Sequence, residues 1–292
     1  MECSIAWDPQ SAWGSAASAS FFVALEQPGP WGREALTQSH LDPELGAALG
    51  RAAASAGGRA LLIRKPGHHA DSHHPGARRV FVAGGLSGSA WLLTAEVEDP
   101  AALLDLPWDS LASTAVPSLA GFAVSQPVLL VCTNAKRDRC CALRGRPIVH
   151  EPAARGRPVW ECSHTGGHRF APTGIVLPLG QVLGRLTAEL GEQVLDAAAS
   201  GEFALPSLGE RHDRGVSHVS PREAAALSWV RATEGITGAT ELACVAGEGT
   251  VSVQHVDGRL WDLTVEPVTG EDLPDSCGKP AKPSTSWRVS AN

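Results

Sequence analysis

The chain has 292 residues, 43% of them hydrophobic, and a formal net charge of −7. This is the composition of a soluble globular protein with room for two modest domains and a sizeable core. The acidic balance argues against nucleic acid as a partner, since phosphate binding needs a basic face, and no apolar run approaches the roughly 20 residues of a membrane span.

The opening residues, Met1 to Trp7, lack the basic and apolar regions of a signal peptide. Seven cysteines, an odd number, without an export signal point to reduced thiols and a cytoplasmic location. Residues 20–26 carry Phe21, Phe22, Val23 and Leu25, stop at Pro28-Gly29-Pro30, and read as a buried strand. Asp42-Pro43-Glu44 supplies an N-cap, a proline at the first helical position and an acid in the first turn. A helix therefore runs through Leu45 and Leu49 until Gly57-Gly58 stops it. Strands follow at 59–64, 79–83 and 90–95, the last two joined by a glycine-rich turn, and Asp99-Pro100 opens a helix through Leu103 and Leu104. The order is β-α-β, then β-β-α. Between these halves lie His68, His69, Asp71, His73 and His74. Gly67, Pro75 and Gly76 mark a loop that fixes none of their directions, so a solvated loop is expected there rather than a native metal site.

Residues 110–126, with Pro117 and several small residues, read as a linker, after which the same order recurs. A buried strand at 127–131 ends at Cys132, and a short helix is expected from Cys141, limited by Gly145 and Pro147. A strand at 159–162 and a hairpin of 174–177 with 181–186 come next. Thr187 then caps a helix whose stripe is Leu190, Val194, Leu195 and Ala198. This succession suits an α/β thioredoxin-like fold, a mixed sheet covered by helices, and its recurrence implies tandem units. The expected division is an N-terminal thioredoxin-like domain without ligands (residues 1–115), a ligand-bearing one (116–215) and an extension (216–292). In the extension, Ser220-Pro221-Arg222-Glu223 is a capping box that starts a helix. Strands at 250–256 and 259–265 flank Asp257-Gly258, a type I′ hairpin signal. Cys244 and Cys277 stand alone in the sequence and are expected to be packed bystander thiols.

Four of the seven cysteines fall between Cys132 and His168, close to His164 and His168 themselves. Thiols and imidazoles are the ligands of soft and borderline metals. Three chemistries could use them. A structural zinc site would take two Cys and two His; His164 and His168 have a suitable spacing, but Cys132 and Cys141 have eight residues between them where C-x2-4-C is usual. A thioredoxin-type dithiol would need C-x-x-C, which is absent, and vicinal Cys140-Cys141 is a poor substitute. A [2Fe–2S] cluster needs two separated ligand pairs. A loop after a strand can deliver Cys132 and Cys141, and the Gly166-Gly167 turn can deliver His164 and His168.

The run Cys132-Thr-Asn-Ala-Lys-Arg-Asp-Arg-Cys140-Cys141, followed by Cys162-Ser-His164-Thr-Gly-Gly-His168-Arg-Phe-Ala-Pro, resembles the signature of the sucrase/ferredoxin-like family. Trp31-Gly32, Gly145 to Pro147 and the stretch after Cys277 resemble it too, so the likeness spans most of the chain. The resemblance implies a thioredoxin-like ferredoxin domain. It also implies a [2Fe–2S] cluster held by Cys132, Cys141, His164 and His168, where the family's C-x8-C and H-x3-H fall. At Ala135 many relatives carry glycine. Cys140 competes with Cys141 by adjacency, while Cys162 reads as a half-buried thiol packing on the sheet, with a role beside the ligands as its alternative. The family name also evokes sucrose hydrolysis. A glycosidase needs two carboxylates across the scissile bond, and no motif marks a partner for Glu161, so sucrase activity is not expected.

Two thiolates and two neutral imidazoles would leave an oxidised [2Fe–2S] site formally neutral, raising its potential above plant-type ferredoxins. The free imidazole nitrogens would couple electron transfer to protons. The reading is a one-electron carrier rather than a hydrolase, with no catalytic residue assigned and a redox protein, not nucleic acid or membrane, as partner. A non-redox module with structural Zn(Cys2His2) and a thiol-exchange oxidoreductase are the alternatives. Arg137, Arg139, Arg144, Arg146, Arg155 and Arg157 form either a docking surface for an acidic partner or a solvated basic loop.

Overall fold

The computed structural model describes residues 2–67 and 76–292. The histidine-rich loop, His68 to His74, lies outside the described residues. A single turn, α1 (Cys3–Ala6), leads to β1 (Phe22–Glu26), α2 (Pro43–Ser55), β2 (Arg59–Arg64), β3 (Arg78–Gly84) and β4 (Trp91–Val97). Then come β5 (Ala123–Val124), β6 (Val128–Cys132), α3 (Arg139–Ala154), β7 (Val159–Cys162), β8 (Gly174–Leu177), β9 (Gln181–Leu183), α4 (Ala188–Ala199) and β10 (Asp213–Val216). The extension holds α5 (Pro221–Glu234), β11 (Leu242–Ala246), β12 (Thr250–His255), β13 (Leu260–Pro274) and β14 (Ala281–Ala291). The protein is mixed α/β, and no helix among the described residues is long and apolar enough to cross a membrane.

Ten strands form one sheet in the order β10-β9-β8-β6-β7-β2-β1-β3-β4-β5. Each half holds a parallel βαβ pair, β1 with β2 and β6 with β7, flanked by antiparallel strands. The halves meet at β2 and β7, which pair antiparallel through Ile63 with Cys162 and Arg64 with Glu161. One face of the sheet curls on itself. β3 and β7 are three positions apart in the sheet, yet Phe81 and Trp160 meet edge-on with ring centroids 5.6 Å apart. That shared core runs through Phe22, Ile63, Leu130, Cys132, Cys141 and Ile175, so it belongs to both halves. α2 covers the opposite face of the first half, whereas α4, α5 and the second sheet cover that of the second.

Local signals act as expected at the caps. Asp42 accepts from the Leu45 amide at 2.8 Å with Pro43 at the start of α2, and both bonds of the Ser220/Glu223 capping box form. Three expectations are corrected. The element after Asp99 is a six-residue 3-10 turn (Pro100–Asp105), because Pro107 holds Leu106 extended and the chain cannot continue as a helix. α3 begins at Arg139, capped by Asp138, and runs 16 residues through Pro147 and Pro152. Gly145 in it is required by close packing, since a Cβ there would lie 2.6 Å from the Cys132 carbonyl oxygen. The Asp257-Gly258 turn is a three-residue loop rather than type I′. The Gly258 amide donates to the His255 carbonyl at 2.9 Å, and Gly258, with φ +97°, follows the central residues Val256 and Asp257. That hairpin is part of a four-stranded sheet, β11-β12-β13-β14, rather than an isolated pair. Cys244, on β11, packs against the core below it as expected.

The seam is held by a buried ion pair. Arg64 donates through Nε (2.7 Å) and Nη2 (2.6 Å) to Glu161 Oε2, which also accepts from Thr133 Oγ1 at 2.8 Å. Glu161 is thus taken up by structure. Replacing Glu161 by Ala leaves a buried guanidinium uncompensated and should cost about 3–5 kcal/mol in urea unfolding, whereas replacing Arg64 and Glu161 together by Leu should recover much of that loss.

Candidate metal centre

Cys132, Cys141 and Cys162 sit where the seam, the β6 terminus and the start of α3 converge. Cys132 ends β6 and Cys162 ends β7, in register with each other. The chain leaves β7 through Ser163, whose amide donates to the Leu62 carbonyl at 2.8 Å, and enters the His164 to His168 loop. Two arginines hold that loop by its carbonyls. Arg59 of β2 donates to the oxygens of His164 (2.8 Å) and Thr165 (3.1 Å), and Arg214 of β10 to that of Gly166 (2.9 Å). Arg214 is fully buried and also donates from Nε to Ser15 Oγ at 3.0 Å; burial pushes its guanidinium down to about 9. Gly166 and Gly167 turn the loop with φ of +85° and +66°. A Cβ on Gly167 would strike the Arg214 guanidinium.

The four predicted ligands are brought together as two pairs. Cys132 and Cys141 are fully buried in the same core. The bond from Cys141 first, then that with His164 and the Asn134 amide, holds the Cys132 thiol well below its ordinary range despite burial. Donating that bond pushes Cys141 well up, and burial adds to it. The His164 and His168 rings lie 5.8 Å apart, tilted by 33°. Nδ1 of each is buried and has no hydrogen-bond partner. Burial lowers His168 toward the neutral imidazole, opposed by Asp138, whose Oδ2 is 3.8 Å from its Nε2.

Cys140 and Cys141 part company. Successive residues of a helix are about 100° apart around its axis, so Cys141 faces the sheet core while Cys140 faces Cys3 and Cys277. Cys162 lies in the sheet core, where burial raises its thiol well above the ordinary value. Cys277 is no isolated bystander. Cys3, Cys140 and Cys277 bring their sulfurs within 3.8 Å of one another, with Asp138 beside them. Their ligand atoms all lie within 4.8 Å, and this is the only such Cys/His/Asp/Glu group among the described residues. These three thiols and a carboxylate could hold a metal ion. Cys3 and Cys277 are 274 residues apart, so no local spacing could reveal them. Asp138 caps α3 at a position that the expected start at Cys141 passes over, and Arg59 and Arg214 carry no sequence signal.

A family model described as sucrase/ferredoxin-like matches residues 12–208, more than half of the chain. The chain belongs to the sucrase/ferredoxin-like family. The family match covers Cys132, Cys140, Cys141, His164 and His168 and leaves out Cys3, Arg214 and Cys277. None of the curated proteins and none of the solved structures compared with the chain matches it. Of the six window arginines, Arg137, Arg144, Arg155 and Arg157 are engaged in ion pairs with Glu34, Glu2, Glu151 and Glu192, and Asp196.

The loop geometry is testable without any metal. Gly167→Ala meets both the left-handed backbone cost, about 1–2 kcal/mol, and displacement of Arg214. Gly201→Ala, at φ +74° with open space around it, meets the backbone cost alone. The Gly167 variant should show the larger drop in urea midpoint.

Proposed function

We propose that this protein is a one-electron carrier in which Cys132, Cys141, His164 and His168 hold a [2Fe–2S] cluster. The observation that carries the reading is the convergence of two buried thiols with two imidazoles whose Nδ1 atoms are buried and unpartnered. Buried polar atoms normally find partners, so a pair of orphaned ring nitrogens beside thiols fits a metal-bound state. No three of these four residues bring their ligand atoms within the 4.8 Å reach of a single ion among the described residues. Four donors spread beyond the reach of a single ion suit a two-iron group better than one zinc. Such a cluster, when bound, supplies reversible one-electron chemistry at a potential above that of all-cysteine ferredoxins.

The protein's own residues do the rest. Cys132 and Cys141 exclude water, being fully buried. Arg59 and Arg214 fix the loop that aims the rings, and their charge beside Cys132 offsets that of a thiolate. His168 turns its Nε2 toward Asp138, whose Oδ2 lies 3.8 Å away. His164 borders a groove lined by Arg33, Arg51 and Arg59, a basic approach for an acidic redox partner. The proposal includes a cytoplasmic setting and a thioredoxin-like origin for both halves, residues 1–115 and 116–215, with 216–292 as extension. The matching strand orders β7-β6-β8-β9 and β2-β1-β3-β4 support that kinship.

Protein produced with iron and kept from air should be coloured, with broad visible bands that bleach on reduction and acid-labile sulfide on analysis. Cys141→Ser should abolish the bands and Cys140→Ser should keep them. Colourless protein free of sulfide overturns the reading.

The potential should also depend on pH. Reduction adds negative charge, which makes the free imidazole nitrogen more basic, so a proton enters with the electron. Raising the pH then opposes reduction, and the midpoint should fall by about 59 mV per pH unit for one coupled proton. A potential independent of pH excludes imidazole ligation.

A further inference from the structure

Three thiols gathered from α1, the first turn of α3 and the turn between β13 and β14 need an explanation that the redox site does not supply. Their sulfurs are separated by 3.8 Å (Cys3 to Cys140), 3.6 Å (Cys277 to Cys3) and 3.0 Å (Cys140 to Cys277). Tetrahedral zinc with Zn–S near 2.3 Å sets its sulfurs about 3.8 Å apart, so two of these separations already match. A disulfide needs about 2.05 Å and would leave the third thiol without a role.

Asp138 is built into the same place. Its carboxylate is buried and accepts from the amides of Cys140 (2.9 Å) and Cys277 (2.8 Å) and from Ser276 Oγ (2.9 Å). Oδ2 lies 3.8 Å and Oδ1 3.9 Å from the Cys3 sulfur. A carboxylate held in place by three hydrogen bonds therefore stands beside three thiols, with all four ligand atoms within 4.8 Å of one another. The nearby Arg169 is 3.6 Å from Asp275 rather than turned to them alone. Three thiols and a carboxylate supply four donors for a dication.

We propose that Cys3, Cys140, Cys277 and Asp138 form a structural zinc site, separate from the iron–sulfur ligands, that pins α1 and the β13–β14 turn to the start of α3. Thiolate-rich sites select zinc, copper(I) or iron–sulfur clusters, and four donors around one point with a hard carboxylate oxygen suit zinc. Binding is redox-neutral. Three S–H bonds release three protons, three Zn–S bonds form, and the already ionised carboxylate supplies the fourth ligand. α3 also carries Cys141, so the site would fix the helix start on which the neighbouring thiol stands.

The test uses the full-length protein, produced with zinc under reducing conditions and washed with a weak chelator. Elemental analysis should give about one zinc per chain. Zinc-edge X-ray absorption should show three sulfurs near 2.3 Å and one oxygen near 2.0 Å, without imidazole scattering. Cys277→Ser, in a turn, should lose at least nine-tenths of the zinc, and Cys132→Ser should keep it. Zinc at well below one per chain, an imidazole-containing shell, or full retention in Cys277→Ser would each overturn the proposal, as would a Cys140–Cys277 disulfide in the reduced, zinc-loaded preparation. The absorption measurement on the parent decides even where a variant fails to fold. Absence of sulfide and colour would count against the electron-carrier reading alone, since this zinc shell contains no histidine.

Discussion

Two residue pairs hold the molecule's design together: Ile63 with Cys162, and Arg64 with Glu161. Without that short antiparallel seam there would be two five-stranded sheets. With it, the ends of β2 and β7 lie side by side, and Arg59 of the first half reaches the carbonyls of His164 and Thr165 in the second. The buried ion pair beside the seam is a costly way to join strands. It is stabilising only with both partners present, because either charge alone would be stranded. The site inherits that dependence, since the histidine loop begins two residues beyond Cys162.

The start of α3 divides chemistry between two neighbours. One peptide bond separates Cys140 from Cys141, yet the helical turn sends the first toward Cys3 and Cys277 and the second toward Cys132. Asp138 serves both sides, capping the helix through the Cys140 amide, bonding the Cys277 amide, and facing His168. A single carboxylate thus ties the helix geometry to both clusters. Ser or Asn could cap the helix as well but would bring no charge.

Much of this was legible in the residues, and the limits have physical reasons. Strand order followed from apolar runs and turn residues, because those signals are local. The spacing of Cys132, Cys141, His164 and His168 could be read because a loop and a tight turn are short-range objects. The element at Pro100 is shorter than its leucines suggest because Pro107 acts from beyond its end, and α3 is longer than its glycine and prolines suggest because β6 packs against Gly145. Arg59, Arg214, Cys3 and Cys277 were invisible for another reason. Each acts across more than a hundred residues of chain or in a sheet neighbour that only tertiary pairing creates.

The separation between Ser15 and Arg214, 199 residues, has a consequence in time. A ribosome delivers β6, α3 and the histidine loop well before it delivers β10. Until Arg214 emerges, the loop lacks its second carbonyl anchor, and the left-handed glycines have no guanidinium packed against them. The loop therefore reaches its finished geometry only after synthesis of at least 214 of 292 residues, nearly three quarters of the chain. A nascent chain stalled earlier would hold Cys132 and Cys141 beside a histidine loop that lacks its Arg214 anchor.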